Sequence, residues 1–305
     1  MTNKPLLIVI TGPTATGKTA LSVQLAQIWQ TEILSADSRQ FYKEMSIGTA
    51  KPGPAEMQEV PHHFVGHLSV NESYNVSAYE QESLALLQQL FRQIDTAVMV
   101  GGSGLYIKAA CEGIDRLPDP DPALRQELNA LYESQGIAAL KTRLFQLDEA
   151  YYRQVDRNNP KRLIRAIEVC ETTGKKYSDL RRQQPQPRPF DILKIGLDMP
   201  RQELFDRIHH RTDAMIAQGL VKEAALLKTY RHLNALNTVG YKELFRYMDG
   251  EIDLEQAVTD IKTNTRRYAK RQMTWFKRDK DITWFHPSQV REIIAHINAA
   301  RKEQS

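Results

Sequence analysis

The chain has 305 residues, 41% hydrophobic and 26% charged, with 41 Lys and Arg against 37 Asp and Glu for a formal charge of +4. That length buries a sizeable core and suits one large domain or two smaller ones; the composition is that of a soluble globular protein. The charge is too mild by itself to indicate a nucleic-acid partner, and Cys111 and Cys170, far apart and without metal-ligand spacing, read as buried free thiols rather than a bridge or a zinc site.

The first predicted element is an apolar strand, Leu6 to Ile10. It is too short for a signal peptide or a membrane span, so a cytoplasmic location is expected. It leads into Gly12-Pro13-Thr14-Ala15-Thr16-Gly17-Lys18-Thr19, the phosphate-binding pattern G-x4-G-K-[ST], and then into a helical stretch with Leu21, Leu25 and Ile28 on one face. Glycines let several backbone N–H groups turn inward, Lys18 adds a mobile positive charge, and the Thr19 hydroxyl suits Mg²⁺. A second strand, Ile33 to Ala36, ends at Asp37-Ser38-Arg39-Gln40, where Asp37 reads either as a magnesium-binding acid or as a base facing substrate. His62, His63 and His67 have no partner carboxylates or cysteines at metal spacing and are expected to be structural or to line a substrate pocket. A helix is predicted over Ser77 to Gln93, then a strand over Ala97 to Val100 that ends in Gly101-Gly102-Ser103-Gly104-Leu105-Tyr106 with no acid after it. Those glycines allow close approach of a ligand or of another backbone.

Pro118, Pro120 and Pro122 mark one break and Pro185, Pro187 and Pro189 another. Between them Leu124, Leu128 and Leu131, then Leu140, Leu144 and Leu147, recur at helical spacing, and Asn159-Pro160 reads as an N-cap with proline at the first helical position. The expected organisation is a phosphate-loop core over 1–117, a helical insertion over 118–190, and 191–305 completing the core and ending in basic helices. Leu193 to Leu197 supplies a further strand, and Arg207 and Arg211 follow Pro200 one helical turn apart, where one of them can clamp phosphate. Between Lys262 and Lys280, Arg266/Lys270 and Arg267/Arg271 are i, i+4 pairs on a basic face, with Tyr268, Trp275 and Phe276 interleaved. Lys161 to Arg165 is a second basic cluster. Strands alternating with helices predict an α/β fold, a P-loop NTPase-like parallel sheet flanked by helices with a helical insertion, and chemistry beyond the carboxyl ends of the strands.

GPTATGKT, DSRQFYKEMSIGTAKP from Asp37 to Pro52, PHHF at 61–64, GGSGLYIKA from Gly101, PKRLIRAIEV from Pro160 and the YAKRQMTWFKR tail together resemble the tRNA dimethylallyltransferase family. The likeness spans nearly the whole chain. Ser103 departs from the family's usual threonine but keeps the hydroxyl, and the lack of the eukaryotic C-terminal zinc finger points to the bacterial form. The resemblance implies transfer of a dimethylallyl group from dimethylallyl diphosphate to N6 of the adenosine 3′-adjacent to the anticodon, in tRNAs reading codons that begin with U. It implies Mg²⁺ as cofactor and the tRNA anticodon stem-loop as partner; the oligomeric state is left open by the sequence, with a monomer as the default expectation.

By the same resemblance, residues 12–19 hold the diphosphate, with Lys18, Thr19 and Arg211 opposing its charge and Asp37 as the base. Asp37, Ser38, Arg39, Gln40, Ser103 and Arg125 are expected tRNA contacts. So are Lys161, Arg162, Leu163, Ile164 and Arg165, and Asn237, Thr238, Val239, Gly240, Tyr241 and Lys242, while Lys51 either contacts substrate or covers the site. Two rivals use parts of the same pattern. A small-metabolite kinase would use the loop and Asp37 but not the basic segments; a non-catalytic RNA-binding protein would use the basic segments but not the loop.

Overall fold

A computed structural model describes residues 4–181 and 184–303. In chain order its elements are β1 (Leu6–Thr11), α1 (Lys18–Ile28), β2 (Ile33–Ser35), α2 (Pro54–Met57), β3 (His62–His63), α3 (Val76–Leu90), β4 (Thr96–Val100), α4 (Gly104–Glu112), α5 (Pro122–Leu147), α6 (Glu149–Gln154), α7 (Pro160–Thr173), α8 (Tyr177–Leu180), β5 (Asp191–Leu197), α9 (Arg201–Ala217), α10 (Leu220–Leu226), α11 (Tyr241–Met248), α12 (Leu254–Phe276), β6 (Ile282–Phe285) and α13 (Val290–Glu303). Short 3₁₀ turns occupy Lys228–Tyr230 and Asn234–Leu236. The chain forms two compact units, Met1–Cys111 with Pro187–Ser305, and Glu112–Gln186.

In the first unit six parallel strands lie in the order β3-β2-β4-β1-β5-β6. Every residue of β1 is buried, as an apolar strand paired on both edges must be when helices cover both faces. Alternation divides the strands' side chains between two cores. Leu7, Val9, Leu34, Ala97 and Met99 point into one with Leu244 of α11 and Ile261 of α12; Leu6, Ile8, Ile10, Ile33, Val98 and Val100 point into the other with Leu25 of α1 and Ile293 of α13. Ile28, expected on the inner face of α1, is 47% exposed, because the helix ends there and the next residue, Trp29, packs on that core instead.

The chain leaves β1 for β2, returns to β4 beside β1, then crosses to β5 on the other edge of β1. Strand order therefore reverses between β4 and β1, where open parallel sheets form a crevice beyond the strand ends. The phosphate loop leaves β1 there, the Asp37 segment leaves β2, and the Gly101 turn leaves β4.

The second unit is helical. Leu128, Leu140 and Leu144 of α5 pack with Leu163, Ile164 and Ile167 of α7. The two predicted leucine repeats form one element interrupted at Gly136, whose φ of 72° and ψ of −174° break the helical path. Asn159 caps α7 through the Arg162 N–H, with Pro160 at the first helical position, and Gly174 ends it at φ 66°. The sheet unit resumes earlier than the prolines suggested: Arg188 bonds Glu80 and the Ala109 and Ala110 carbonyls, and Phe190 packs 5.4 Å from Phe91. Cys111 and Cys170 are buried thiols outside any disulfide, and among the described residues no helix is long and apolar enough to cross a membrane.

Candidate active site

The phosphate loop is shaped by backbone that only small residues allow. Gly12 has φ of 136°, and a Cβ there would lie 2.5 Å from the Leu197 carbonyl oxygen; Gly17 at φ 87° turns the chain into α1. Within the loop the Thr16 hydroxyl donates to the Pro13 carbonyl at 2.9 Å, and Lys18 Nζ donates to the same oxygen at 2.6 Å. Burial pulls the Lys18 ammonium down to about 8, Asp37 acting to raise it and Arg211 to lower it. Arg211 reaches the loop from α9, Nη1 donating to Thr14 Oγ1 at 3.0 Å, and burial lowers its pKa against the opposing pull of Asp37 and Glu56. Among the described residues neither Lys18 nor Arg211 forms an ion pair, so two cations stand at the loop with no carboxylate bonded to either.

Asp37 and Ser103 come together beside that loop. Asp37 Oδ1 accepts from the Arg39 N–H at 3.1 Å, an Asx turn that fixes the carboxylate at the mouth of β2. The Ser103 hydroxyl accepts from the Ser38 N–H at 3.0 Å and donates to Ser38 Oγ at 3.1 Å, while its own N–H bonds Ala36 O at 3.2 Å. Gly101 has to be glycine for this, since a Cβ would stand 2.2 Å from Ala36 O. Ser103 thus ties the β2 and β4 turns together, and a hydroxyl suffices for it. Tyr268 of α12 is within the electrostatic reach of the same acid: burial, then Asp37, raises its phenol, while Arg39 and Arg271 act to lower it.

The side chains of Arg39 and Gln40 brace neighbouring loops. Arg39 Nη1 donates to the Asn234 and Ala235 carbonyls at 2.7 and 3.0 Å, and Gln40 Nε2 to the Thr49 and Ala50 carbonyls at 3.2 and 3.0 Å. Lys51 Nζ closes the same turn on the Tyr42 and Lys43 carbonyls at 3.0 and 2.8 Å. From the other side Glu223 of α10 accepts the consecutive N–H groups of Ser46, Ile47 and Gly48 at 3.0, 2.8 and 2.9 Å, and the Tyr241 hydroxyl at 2.6 Å. A carboxylate gathering three amides and a phenol holds this segment as a backbone nest would hold an anion.

The other expected RNA contacts divide between exposed and buried positions. Leu163 and Ile164 are 0% and 5% exposed in the helical core, so α7 offers Lys161 and Arg162 to solvent but not the two apolar residues between them and Arg165. Arg165 and Arg125 both pair with the buried Glu168, at 2.7 and 2.5 Å, and Arg165 also bonds Pro118 O at 2.7 Å. Tyr241 is 0% exposed and serves Glu223, and Gly240, at φ 98°, caps α11 with its N–H on Glu243. Thr238 and Val239 are half-buried, leaving Asn237 and Lys242 as the exposed members of that segment. His63 pairs with Glu32 and His62 Nδ1 with Val60 O; among the described residues no group of three or more His, Cys, Asp or Glu is placed to hold a metal. Reading along the chain missed Gln272 and Glu223, and took Tyr268 only as an aromatic among basic residues rather than a neighbour of Asp37; the one signal available for Gln272 was its place inside the YAKRQMTWFKR segment.

Comparison with known proteins supplies a family. A family model described as IPP transferase matches residues 40–279. The chain is 51% identical over 293 residues to tRNA dimethylallyltransferase 1 of Bacteroides thetaiotaomicron, covering 96% of this chain and 95% of that one. It is similar to the crystal structure of the tRNA isopentenylpyrophosphate transferase of Bacillus halodurans, with a TM-score of 0.74, 36% identity, and 99% and 98% of the two chains covered. It is also similar to a eukaryotic dimethylallyltransferase solved acting on tRNA, with a TM-score of 0.79, 27% identity, and 93% and 75% covered.

Proposed function

We propose a detailed reaction from the premise that the chain belongs to the IPP transferase family, whose curated relatives are tRNA dimethylallyltransferases. The protein is an enzyme that transfers a dimethylallyl group to tRNA. The donor we assign is dimethylallyl diphosphate, and the acceptor is N6 of the adenosine 3′-adjacent to the anticodon in tRNAs reading codons that begin with U. The observation that carries this reading is that two cations, Lys18 and Arg211, meet at the phosphate loop with the Asp37 carboxylate near enough to act on both.

In the reaction the amine nitrogen bonds the allylic carbon as that carbon's bond to the diphosphate oxygen breaks. Lys18, Arg211 and the loop amides stabilise the charge that gathers on the departing diphosphate. Asp37 takes the proton that the adenine amine must lose, an amine made a poor nucleophile by delocalisation of its lone pair into the ring. The adenosine leaves its stack to reach this position. The donor set fits Mg²⁺, which takes one or two protein oxygens and completes its shell with phosphate and water: the Thr19 hydroxyl is such an oxygen, and no dedicated carboxylate cage is needed. When bound the ion supplies further neutralisation of the leaving group. The active form is a cytoplasmic monomer.

The test is nucleoside analysis of unmodified tRNA incubated with the protein, dimethylallyl diphosphate and Mg²⁺ without ATP. Dimethylallyladenosine at the position after the anticodon is the expected product, and Asp37→Ala lowers the single-turnover rate by about 10²- to 10⁴-fold while tRNA affinity holds. Strict dependence on ATP, with its terminal phosphate passing to a small molecule, would instead establish a kinase.

A further inference from the structure

Gln272 lies buried on α12, far along the chain from either loop it touches. Its Oε1 accepts from the Thr14 N–H at 2.9 Å and its Nε2 donates to the Gly102 carbonyl at 2.9 Å. The chemistry of the partners fixes the orientation of the amide, because a backbone N–H can only donate and a carbonyl can only accept. Among side chains of that length only glutamine carries an acceptor and a donor at one end whatever the pH, since a glutamate gains the donor only when protonated. Gly102 gives the amide room, since a Cβ there would stand 2.3 Å from Nε2.

The two backbone groups joined this way belong to opposite halves of the site. Thr14 is in the phosphate loop, where its hydroxyl is also held by Arg211 at 3.0 Å. Gly102 precedes Ser103, whose hydroxyl bonds the Ser38 N–H and Oγ at 3.0 and 3.1 Å, and Ser38 follows Asp37. A hydrogen-bonded path therefore runs from the phosphate loop through Gln272, Gly102, Ser103 and Ser38 to the acid.

We propose that Gln272 is a positioning residue that sets the separation between the loop holding the departing diphosphate and the carboxylate receiving the proton. The inference rests on the reaction proposed above. It predicts an effect on the chemical step, because displacing reacting groups by about 1 Å costs up to about 10²-fold in rate.

Gln272→Glu in the full chain tests it. Its carboxylate still accepts from Thr14 but sets an oxygen against the Gly102 carbonyl, and only the protonated acid restores the donor; burial raises a carboxyl's pKa toward the neutral range. The expected result, in single turnovers with dimethylallyl diphosphate and tRNA, is a fall of about 10- to 100-fold in the maximal rate at alkaline pH, with the half-saturating donor concentration changed much less. The ratio of variant to unsubstituted rate then rises as pH is lowered. Gln272→Met, which leaves both backbone groups without a partner, loses activity to a similar degree with no such recovery. A Gln272→Glu variant that melts with the unsubstituted protein and keeps its rate, or loses it with no recovery at low pH, overturns the inference. Amide exchange of Thr14 separates this from failure of the proposed reaction: slow exchange in the unsubstituted chain and fast exchange in Gln272→Met is expected whatever the substrate. Equal exchange in the two removes Gln272 from the site.

Discussion

Lys18 has to be charged to grip a diphosphate, yet its surroundings work against the charge. Desolvation is the largest influence and Arg211 adds to it, so the ammonium titrates at about 8 where a solvent-exposed lysine would hold its proton to a much higher pH. The sign follows: the charge is present below about 8 and lost as pH rises through it, and an arriving anion raises the pKa again. The gain in pyrophosphate affinity of the unsubstituted protein over Lys18→Met is therefore expected to be constant in the acid range and to shrink, by up to about tenfold per pH unit, above about 8, where Lys18 loses its proton in the ligand-free protein. Taking the ratio cancels the ionisation of pyrophosphate, and calorimetric titration across that range reads it. A flat ratio would separate Lys18 from the phosphate. Such residues were legible in sequence because type and spacing carry their chemistry: Lys18 stands inside a local pattern and Asp37 follows a strand. Gln272 and Glu223 were not legible, because their bonds to Thr14 and Ser46 span 258 and 177 positions and leave no local periodicity.

Helix α12 shows how an element can be predicted correctly and still be misread in detail. Its N-terminus is capped by Asp253, which accepts from the Gln256 N–H at 2.7 Å, and its apolar side packs on the sheet through Ala257, Ile261 and Phe276. The expected basic face is narrower than the sequence implies. Lys262 pairs with Asp213 at 2.6 Å, Arg266 lies over the Phe205 ring at 5.3 Å, and Lys277, just past the helix, pairs with Asp198 at 3.0 Å. Arg267 and Lys270 are exposed and, among the described residues, form no ion pair. Replacing either by alanine is expected to lower the slope of log K for tRNA against log salt by about 0.7 to 0.9 for each phosphate left unneutralised, whereas Lys262→Ala leaves the slope unchanged. Filter-binding titrations over a salt series distinguish the two cases. The central strands were legible because burial on both faces writes a continuous apolar run. The edge strands were not: β3 is His62–His63 alone, and β6 mixes the buried Ile282 with exposed and half-buried residues, so neither carries such a run.

At the scale of the molecule, the phosphate loop, Asp37, Ser103, Gln272 and Arg211 all belong to the unit built from residues 1–111 and 187–305, while Glu112–Gln186 has its own core of Leu128, Leu140, Leu144, Leu163 and Ile167. The two ends of that helical unit are adjacent, the Gln186 N–H donating to the Glu112 carbonyl at 2.7 Å. A short Gly/Ser linker can therefore replace the residues between them without stretching the sheet unit, which keeps both faces of its sheet covered by its own helices. The shortened protein is expected to melt cooperatively and to bind pyrophosphate within about threefold of the full chain, a change of less than about 1 kcal/mol. Its tRNA affinity is expected to fall and its salt slope to drop, because Lys161 and Arg162 leave with the helices. Calorimetry with pyrophosphate and a salt series with tRNA measure the two properties separately. Loss of pyrophosphate binding in a shortened protein that still melts cooperatively would mean that the diphosphate site needs the helical unit, and tRNA binding at full strength would remove that unit from recognition.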